Sequence, residues 1–369
     1  MLEVADILRL YGGQYLQKFG DNMLPSQRRA FADILKCRTQ VMGGHVFQCD
    51  KCGHRHYSYH SCCNRSCPKC HGDDTAEWLE QRRKELLDVE YYHVVFTLPQ
   101  EMKRIVRFHQ KKLYAVLMKS AAQSLIKLAA DPHYVGGLIG VMCVLHTWSN
   151  ALIYHPHVHC LVPAGGISSD KKQWLSARNN YLVPVKALSK IFRGIFTHMA
   201  RKELPDAELP SSALHKDWVV YCKPTIQGID KVLNYLGRYV HRVAITNSRI
   251  LSIDNGKVTF RYKDRKSHKW KTMRLQAHEF IRRFLQHVLP KGVHKIRYYG
   301  LWSPKNQKYL YKIQLLLKKD NNTQQSELQP QDTNVISKTP SSTELKCPHC
   351  KIGTLIWLAR IPGQRRAPP

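Results

Sequence analysis

The chain has 369 residues, 43% of them hydrophobic, enough for more than one domain and at least one buried core; a disordered polymer is excluded. Lysine and arginine total 58 against 27 acidic residues, and the formal charge of +31 points to a polyanionic partner, nucleic acid before an anionic membrane surface. The longest apolar run, Val135 to Leu145, is too short to cross a bilayer, and Asp6 and Arg9 interrupt the opening residues, so neither membrane anchoring nor secretion is expected. With no export signal expected, the 12 cysteines read as metal ligands before disulfides.

Residues 1–36 carry apolar positions at helical spacing, with a break at Leu24-Pro25-Ser26, and form a helical N-terminal segment. Residues 37–72 follow as a cysteine-rich ribbon. Cys49-x-x-Cys52 and Cys67-x-x-Cys70 are two short hooks, and a pair of such hooks supplies the four thiolates of a closed, structural Zn²⁺ site. Cys37, Cys62, Cys63, His45, His54, His56 and His60 are left as spare ligands, so a second zinc stays open. Lys51, Arg55, Arg65 and Lys69 are interleaved with the hooks and suit DNA. Asp73 and Asp74 offer an N-cap for a charged connecting helix over 73–90.

From 91 to 305 β-branched and aromatic runs alternate with helical patterns, which predicts one α+β domain. Tyr92 to Leu98, Val135 to Trp148, Val158 to Val162, Trp218 to Cys222 and Val258 to Tyr262 read as strands; Arg104 to Ala130 and Gly228 to Val243 read as helices. Cys143, Cys160 and Cys222 read as core thiols. Residues 320–345 are polar and form a linker. The tail, 346–369, carries Cys347-x-x-Cys350, half a site; it is expected to bind nothing, the alternatives being another molecule's hook or spare ligands of the first cluster.

His155-Pro156-His157-Val158-His159-Cys160 is the most informative stretch. Alternate residues of a strand share a face, so His157 and His159 point together while Val158 and Cys160 pack behind them. Two imidazoles on one face suit a divalent ion with positions left for substrate. On the helix 228–243, Val232, Leu233, Leu236, Val240 and Val243 form an apolar stripe, edged by Tyr239 and Tyr235. Lys231, Arg238 and Arg242 lie next around the helix and are candidate DNA contacts. Two phenols between a buried and a basic face are placed as nucleophiles for a phosphate would be.

These segments resemble a known family. HPHVHCLVPAGG, from His155 to Gly166, is similar to the HUH motif of rolling-circle nucleases, and YLGRYVHRVAI, from Tyr235 to Ile245, resembles the paired-tyrosine motif of the two-tyrosine rolling-circle transposases of bacterial insertion sequences. YHSCCNRSCPKC resembles the zinc-binding region that precedes the nuclease, and YYHVVFTLP and RRFLQHVLPKG also match. Cys63 and Ser66 depart from the pattern. The resemblance runs from about residue 3 to 305 and implies an HUH-type nuclease fold: an antiparallel-rich sheet with flanking helices, preceded by the helical segment and the ribbon.

It further implies an enzyme that nicks single-stranded or hairpin DNA at element ends in a bacterial, nucleoid-associated cytoplasmic setting. Tyr235 and Tyr239 would be the catalytic nucleophiles, forming a 5′-phosphotyrosine link that feeds rolling-circle strand transfer. A phenol of pKa ~10 needs activation, supplied by Mg²⁺ or Mn²⁺ on His157 and His159. These ions take about six ligands, and His93, on the strand Tyr92 to Leu98, is the expected third protein ligand, with His146 the alternative. A plasmid or phage replication initiator or relaxase with the same chemistry, or a non-catalytic DNA-binding derivative, are the competing readings.

Overall fold

The computed structural model describes residues 1–70, 73–178, 181–224, 231–232, 237, 240, 242–264, 267–325 and 345–364. Two helices open the chain, α1 (Val4–Phe19) and α2 (Pro25–Lys36). Pro25 stands at the first turn of α2, where a missing N–H loses nothing. A hairpin of β1 (Gly44–Cys49) and β2 (Arg55–Tyr59) follows, then α3 (Asp73–Arg83). The central region runs β3 (Tyr91–Thr97), α4 (Lys103–Phe108), α5 (Gln110–Ala129), β4 (Leu138–Trp148), β5 (Tyr154–Pro163), β6 (Gly165–Ile167), β7 (Trp174–Ser176), α6 (Val185–Glu203), α7 (Ser211–Leu214) and β8 (Val220–Pro224). After it come β9 (Ile250–Asp254), β10 (Lys257–Lys263), β11 (Trp270–Gln276), α8 (Ala277–Leu285), β12 (Ile296–Gly300), α9 (Leu310–Gln325) and β13 (Leu355–Ile361).

This is the α+β class expected. The main sheet is antiparallel, in the order β7-β6-β4-β5-β3-β8, and the outer edge of β4 is shared, its start pairing β6 and the rest pairing β12. Alternation along the strands separates two faces. Val94 and Phe96 of β3, Val141, Cys143 and Leu145 of β4, and Val158 and Cys160 of β5 point to one side. There they pack on Leu113, Leu117, Ala121 and Leu125 of α5 and on Phe192 and Phe196 of α6. Burying that many large side chains, at roughly 1.5–3 kcal/mol each relative to exposure, is what fixes the register.

The opposite face carries Tyr91, Met142, Val144 and Leu161, covered by Leu86, Val232 and Val240. Residues 231, 232, 237 and 240 have helical backbone. Val232 and Val240 therefore rest on the same sheet face as His157 and His159, which alternate with Val158 and Cys160.

Several boundaries differ from the sequence reading. The helix expected over 104–130 is broken at His109, whose φ of −113° and ψ of 41° end α4 and start α5. The connecting helix stops at Arg83 rather than reaching residue 90, and α9 continues to Gln325, inside the stretch read as linker. The N-terminal helices do not form a unit of their own. Ile7, Leu8, Phe31 and Ile34 share one apolar cluster with Phe260 of β10 and Phe280, Ile281 and Phe284 of α8. Most unexpected is the tail: β13 pairs antiparallel with β1, completing a three-stranded sheet β13-β1-β2. Among the described residues no helix is long and apolar enough to cross a membrane.

Candidate active site and metal centres

Three neighbouring strands deliver the histidines. In the β4–β5 ladder His146 lies directly opposite His157, and Val144 opposite His159. In the β3–β5 ladder Thr97 opposes His157 and Val95 opposes His159, which sets His93 one diagonal step from His159. The candidate ligand nitrogens of His146, His157 and His159 all lie within 4.8 Å of one another. His93 is placed differently: its Nε2 is 2.8 Å from Nδ1 of His159, and the two rings stack with 7° between their planes. The structure thus groups His146 with the pair, and sets His93, the third ligand expected from sequence, behind His159 as a hydrogen-bonding partner. The reason is geometric, since the residue directly across the ladder from His157 on β4 shares its face, whereas His93 is offset along β3.

Two of these imidazoles, His159 and His93, are held neutral. Burial, followed by the neighbouring His146, His157, His93 and Arg242, keeps His159 well below the ordinary histidine range. Burial and then His157 push His93 down to about 4. Nδ1 of His157 sits 2.6 Å from the carbonyl oxygen of His155; donating there leaves the ring's lone pair on Nε2, as a metal ligand requires. A cavity of about 380 Å³ opens over this group, bordered by Thr97, Trp148, Asn150, Tyr221 and Arg242.

Of the expected DNA contacts, Arg242 borders this cavity and donates from Nη2 to Oδ1 of Asn150 at 3.1 Å. Lys231 is exposed on the helical stretch. Tyr235, Arg238 and Tyr239 lie outside the described residues. Nζ of Lys295 donates to the carbonyls of Val240 at 2.8 Å and Arg242 at 2.7 Å. Burial, with Arg242 and Arg65 nearby, pushes the Lys295 ammonium down to about 7.

Eight of the 12 cysteines are gathered into two groups of four, and the expected set of Cys49, Cys52, Cys67 and Cys70 is not one of them. Cys67 and Cys70 meet Cys37 and Cys62, all four buried, while Cys49 and Cys52 meet Cys347 and Cys350. The correction has a physical cause. Cys49 ends β1 at the far end of the hairpin, whereas Cys37 follows directly on α2 and is folded back on the loop 62–70, its Sγ 3.4 Å from that of Cys70. Sequence reading left Cys37 and Cys62 as spares and Cys347-x-x-Cys350 as half a site expected to bind nothing; the recurrence of the same hook in the tail was the signal available. Sulfurs 3.4 and 3.5 Å apart around Cys70 suit a single tetrahedral Zn²⁺. Two of the basic residues read as DNA contacts serve inside the fold. Arg65 donates to the carbonyls of Val293 (2.5 Å), Leu289 (2.8 Å) and Pro290 (2.9 Å), and Lys69 pairs with Glu3 at 2.5 Å.

Comparison with known proteins converges on one family. A family model described as "Transposase zinc-binding domain" matches residues 7–98, and one described as "Putative transposase" matches residues 140–309. A "Putative transposase y4qJ" of Sinorhizobium fredii is 44% identical over 317 residues, covering 81% of this chain and 79% of the relative. The "Transposase for insertion sequence element IS801" of Pseudomonas savastanoi pv. phaseolicola is 28% identical over 283 residues, covering 72% and 68%. No solved structure matches the chain. The zinc-binding match spans Cys37, Cys62, Cys67 and Cys70, and the second match spans His146, His157 and His159. The chain belongs to the IS91-type transposases with an N-terminal zinc-binding domain.

Proposed function

We propose that this transposase nicks single-stranded or hairpin DNA at the ends of its element by tyrosine attack and joins the ends by rolling-circle strand transfer. The observation that carries the reading is the convergence of His146, His157 and His159 from adjacent strands beside a cavity edged by Arg242. Tyr235 and Tyr239 are the proposed nucleophiles, in a stretch whose neighbours Val232 and Val240 pack on the histidine face of the sheet.

The three imidazoles would hold Mg²⁺ or Mn²⁺; nitrogen donors weigh toward Mn²⁺, because Mg²⁺ prefers oxygen. A bound ion supplies Lewis-acid polarisation of the scissile phosphate and offsets its charge in the transition state. The chain's own residues do the rest. Arg242, held by Asn150, is set to meet a phosphate oxygen at the rim. His93 orients His159 through their 2.8 Å contact. The tyrosine oxygen forms a bond to phosphorus as the bond to the 3′ oxygen breaks, and that oxygen leaves as a hydroxyl with the proton. The 3′ hydroxyl can later attack the phosphotyrosine and regenerate the phenol, so no external energy source is needed. A second tyrosine lets one site hold a second DNA end while the first remains joined.

Binding draws on the formal charge of +31 and should weaken steeply with salt as counterions are released. The test is incubation with a labelled single-stranded oligonucleotide from an element end plus Mn²⁺. A covalent adduct mapping to Tyr235 or Tyr239 is expected, and Tyr235→Phe and Tyr239→Phe should each block transposition while keeping the ring. Transposition at the normal level in both variants would remove tyrosine catalysis, and DNA binding without any adduct would mark a non-catalytic binder.

A further inference from the structure

The second cysteine group joins the two ends of the chain, and neither family match reaches its C-terminal half, since they cover residues 7–98 and 140–309. Sγ of Cys49 lies 3.7 Å from that of Cys350, and Sγ of Cys52 lies 3.8 Å from that of Cys347. Zn–S bonds of about 2.3 Å at tetrahedral angles put neighbouring sulfurs about 3.8 Å apart. These separations are far too long for disulfides, whose sulfurs sit about 2.0 Å apart.

The two hooks have the same local build. The amide of Gly53 donates to the carbonyl of Cys49 at 3.1 Å, and the amide of Lys351 donates to that of Cys347 at 2.9 Å. The residue after each second cysteine takes a left-handed conformation, φ 69° at Gly53 and 60° at Lys351. A backbone N–H faces a sulfur in each hook, Cys52 toward Cys49 at 3.5 Å and Gly353 toward Cys350 at 3.4 Å. Such donors stabilise thiolates rather than thiols.

The surroundings bring the hooks together. Asp50 and Thr354 exchange two bonds, N–H of Asp50 to the Thr354 carbonyl at 3.1 Å and N–H of Thr354 to Oδ1 of Asp50 at 2.8 Å. His54 and His349 stack at 4.9 Å, and Cys49 pairs with Leu355 at the end of the β1–β13 ladder. A Cβ on Gly353 would fall 2.5 Å from Sγ of Cys49 and 2.5 Å from Oδ1 of Asp50, so only glycine lets the tail approach this closely. Lys51 and Lys351 flank the site and offset the charge of four thiolates.

We infer that Cys49, Cys52, Cys347 and Cys350 bind a second structural Zn²⁺, which clamps the C-terminal strand onto the N-terminal hairpin of the same molecule. Binding releases the thiol protons to solvent and leaves all four positions filled by sulfur, so this ion has no open position for substrate. The zinc-binding module is therefore composite, completed by residues more than 250 positions downstream of its first half.

Metal content of the full chain, purified with Zn²⁺ and dialysed against a weak chelator, tests this. Two zinc ions per chain are expected in the parent, and one in Cys347→Ser/Cys350→Ser, which alters only the tail. Cys49→Ser/Cys52→Ser should show the same loss. Co²⁺ substitution should give the absorption of two tetrahedral thiolate sites in the parent and half that intensity in either variant. A tail variant that keeps two zinc ions, or a parent that holds one, overturns the inference. A zinc-dependent dimer in sedimentation that dissociates in the tail variant would also overturn it, because the tail hook would then belong to a second copy.

Discussion

The different placements of His146 and His93 can be separated by experiment. His146 shares the ligand group with His157 and His159, while His93 meets that group through Nδ1 of His159 at 2.8 Å. Replacing a residue that orients a ligand weakens metal binding about 10–100-fold, or roughly 1.4–2.7 kcal/mol at 1.36 kcal/mol per decade. Replacing one of three ligands should exceed that range and also remove charge compensation at the phosphate. His93→Ala is therefore expected to shift the Mn²⁺ concentration for half-maximal cleavage upward by about 10–100-fold, with the maximal rate recovered at saturating ion. His146→Ala should lose cleavage at every Mn²⁺ concentration tested while still binding single-stranded DNA, whose affinity comes from the distributed basic surface. Titrations followed by Mn²⁺ electron paramagnetic resonance and by oligonucleotide cleavage read both quantities. The reverse order, with His93→Ala irrecoverable and His146→Ala rescued by metal, would refute the assignment and restore His93 as the ligand.

His287 is wholly enclosed, and burial pushes it down to about 3 from an ordinary 6.5, so the stability of its neutral form is full above pH 6.5 and is lost as pH falls toward 3. At ~1.36 kcal/mol per unit, going from pH 6.5 to 5 should remove about 2 kcal/mol. His287→Gln should flatten that slope in urea titrations followed by Trp148, whose ring lies 6.0 Å from His287; an unchanged slope would refute the attribution. Arg65→Met removes the bonds to three loop carbonyls and should lower stability by about 1–2 kcal/mol after allowing for the residue's exposure; a loss below 0.5 kcal/mol, by the surface-substitution scale, would show that solvent replaces those bonds. Lys295→Met should reduce strand transfer while leaving zinc content unchanged, and full activity in that variant would show that the Val240 and Arg242 carbonyls need no cation.

What could be read from the sequence was whatever repeats at short range. The alternation of Val158 and Cys160 with His157 and His159 is a local property of a strand, and the strand and its faces emerged as expected. The break at Pro25 and the run from Tyr91 to Thr97 are local in the same way. What could not be read was partnership between distant segments. His146 pairs with His157 only because the β4–β5 register sets them opposite, and one step of slip would turn His146 to the other face. Cysteine spacing shows that hooks exist but not which hooks meet: four residues from two hooks looked sufficient, yet the fold sends Cys49 and Cys52 to the tail and Cys67 and Cys70 to Cys37 and Cys62. The helix expected over 104–130 failed at His109 for want of any breaker residue in the sequence; the turn there is a tertiary choice.

Side-chain hydrogen bonds link the zinc-binding region to the loop that leads into the histidine sheet. Cys62, Cys67 and Cys70 pin the loop that carries Arg65, and Arg65 holds the carbonyls of Leu289, Pro290 and Val293. Two residues beyond Val293, Lys295 holds the carbonyls of Val240 and Arg242, and the next residues form β12 against β4. The same β4 carries His146. Hydrogen bonds and the short chain segments between them thus link the first cysteine group to Val240 and Arg242 and to the strand beneath the imidazoles. Nothing in it requires two alternative states, so it argues for scaffolding rather than for signalling between sites. Scaffolding is also what in-line attack on a phosphate demands, because misplacement by about 1 Å can lower such a rate by about two orders of magnitude. A metal that only grips DNA at the periphery would not need this connection. Under the function we propose, the first zinc site serves the placement of the histidine site as well as the fold around it.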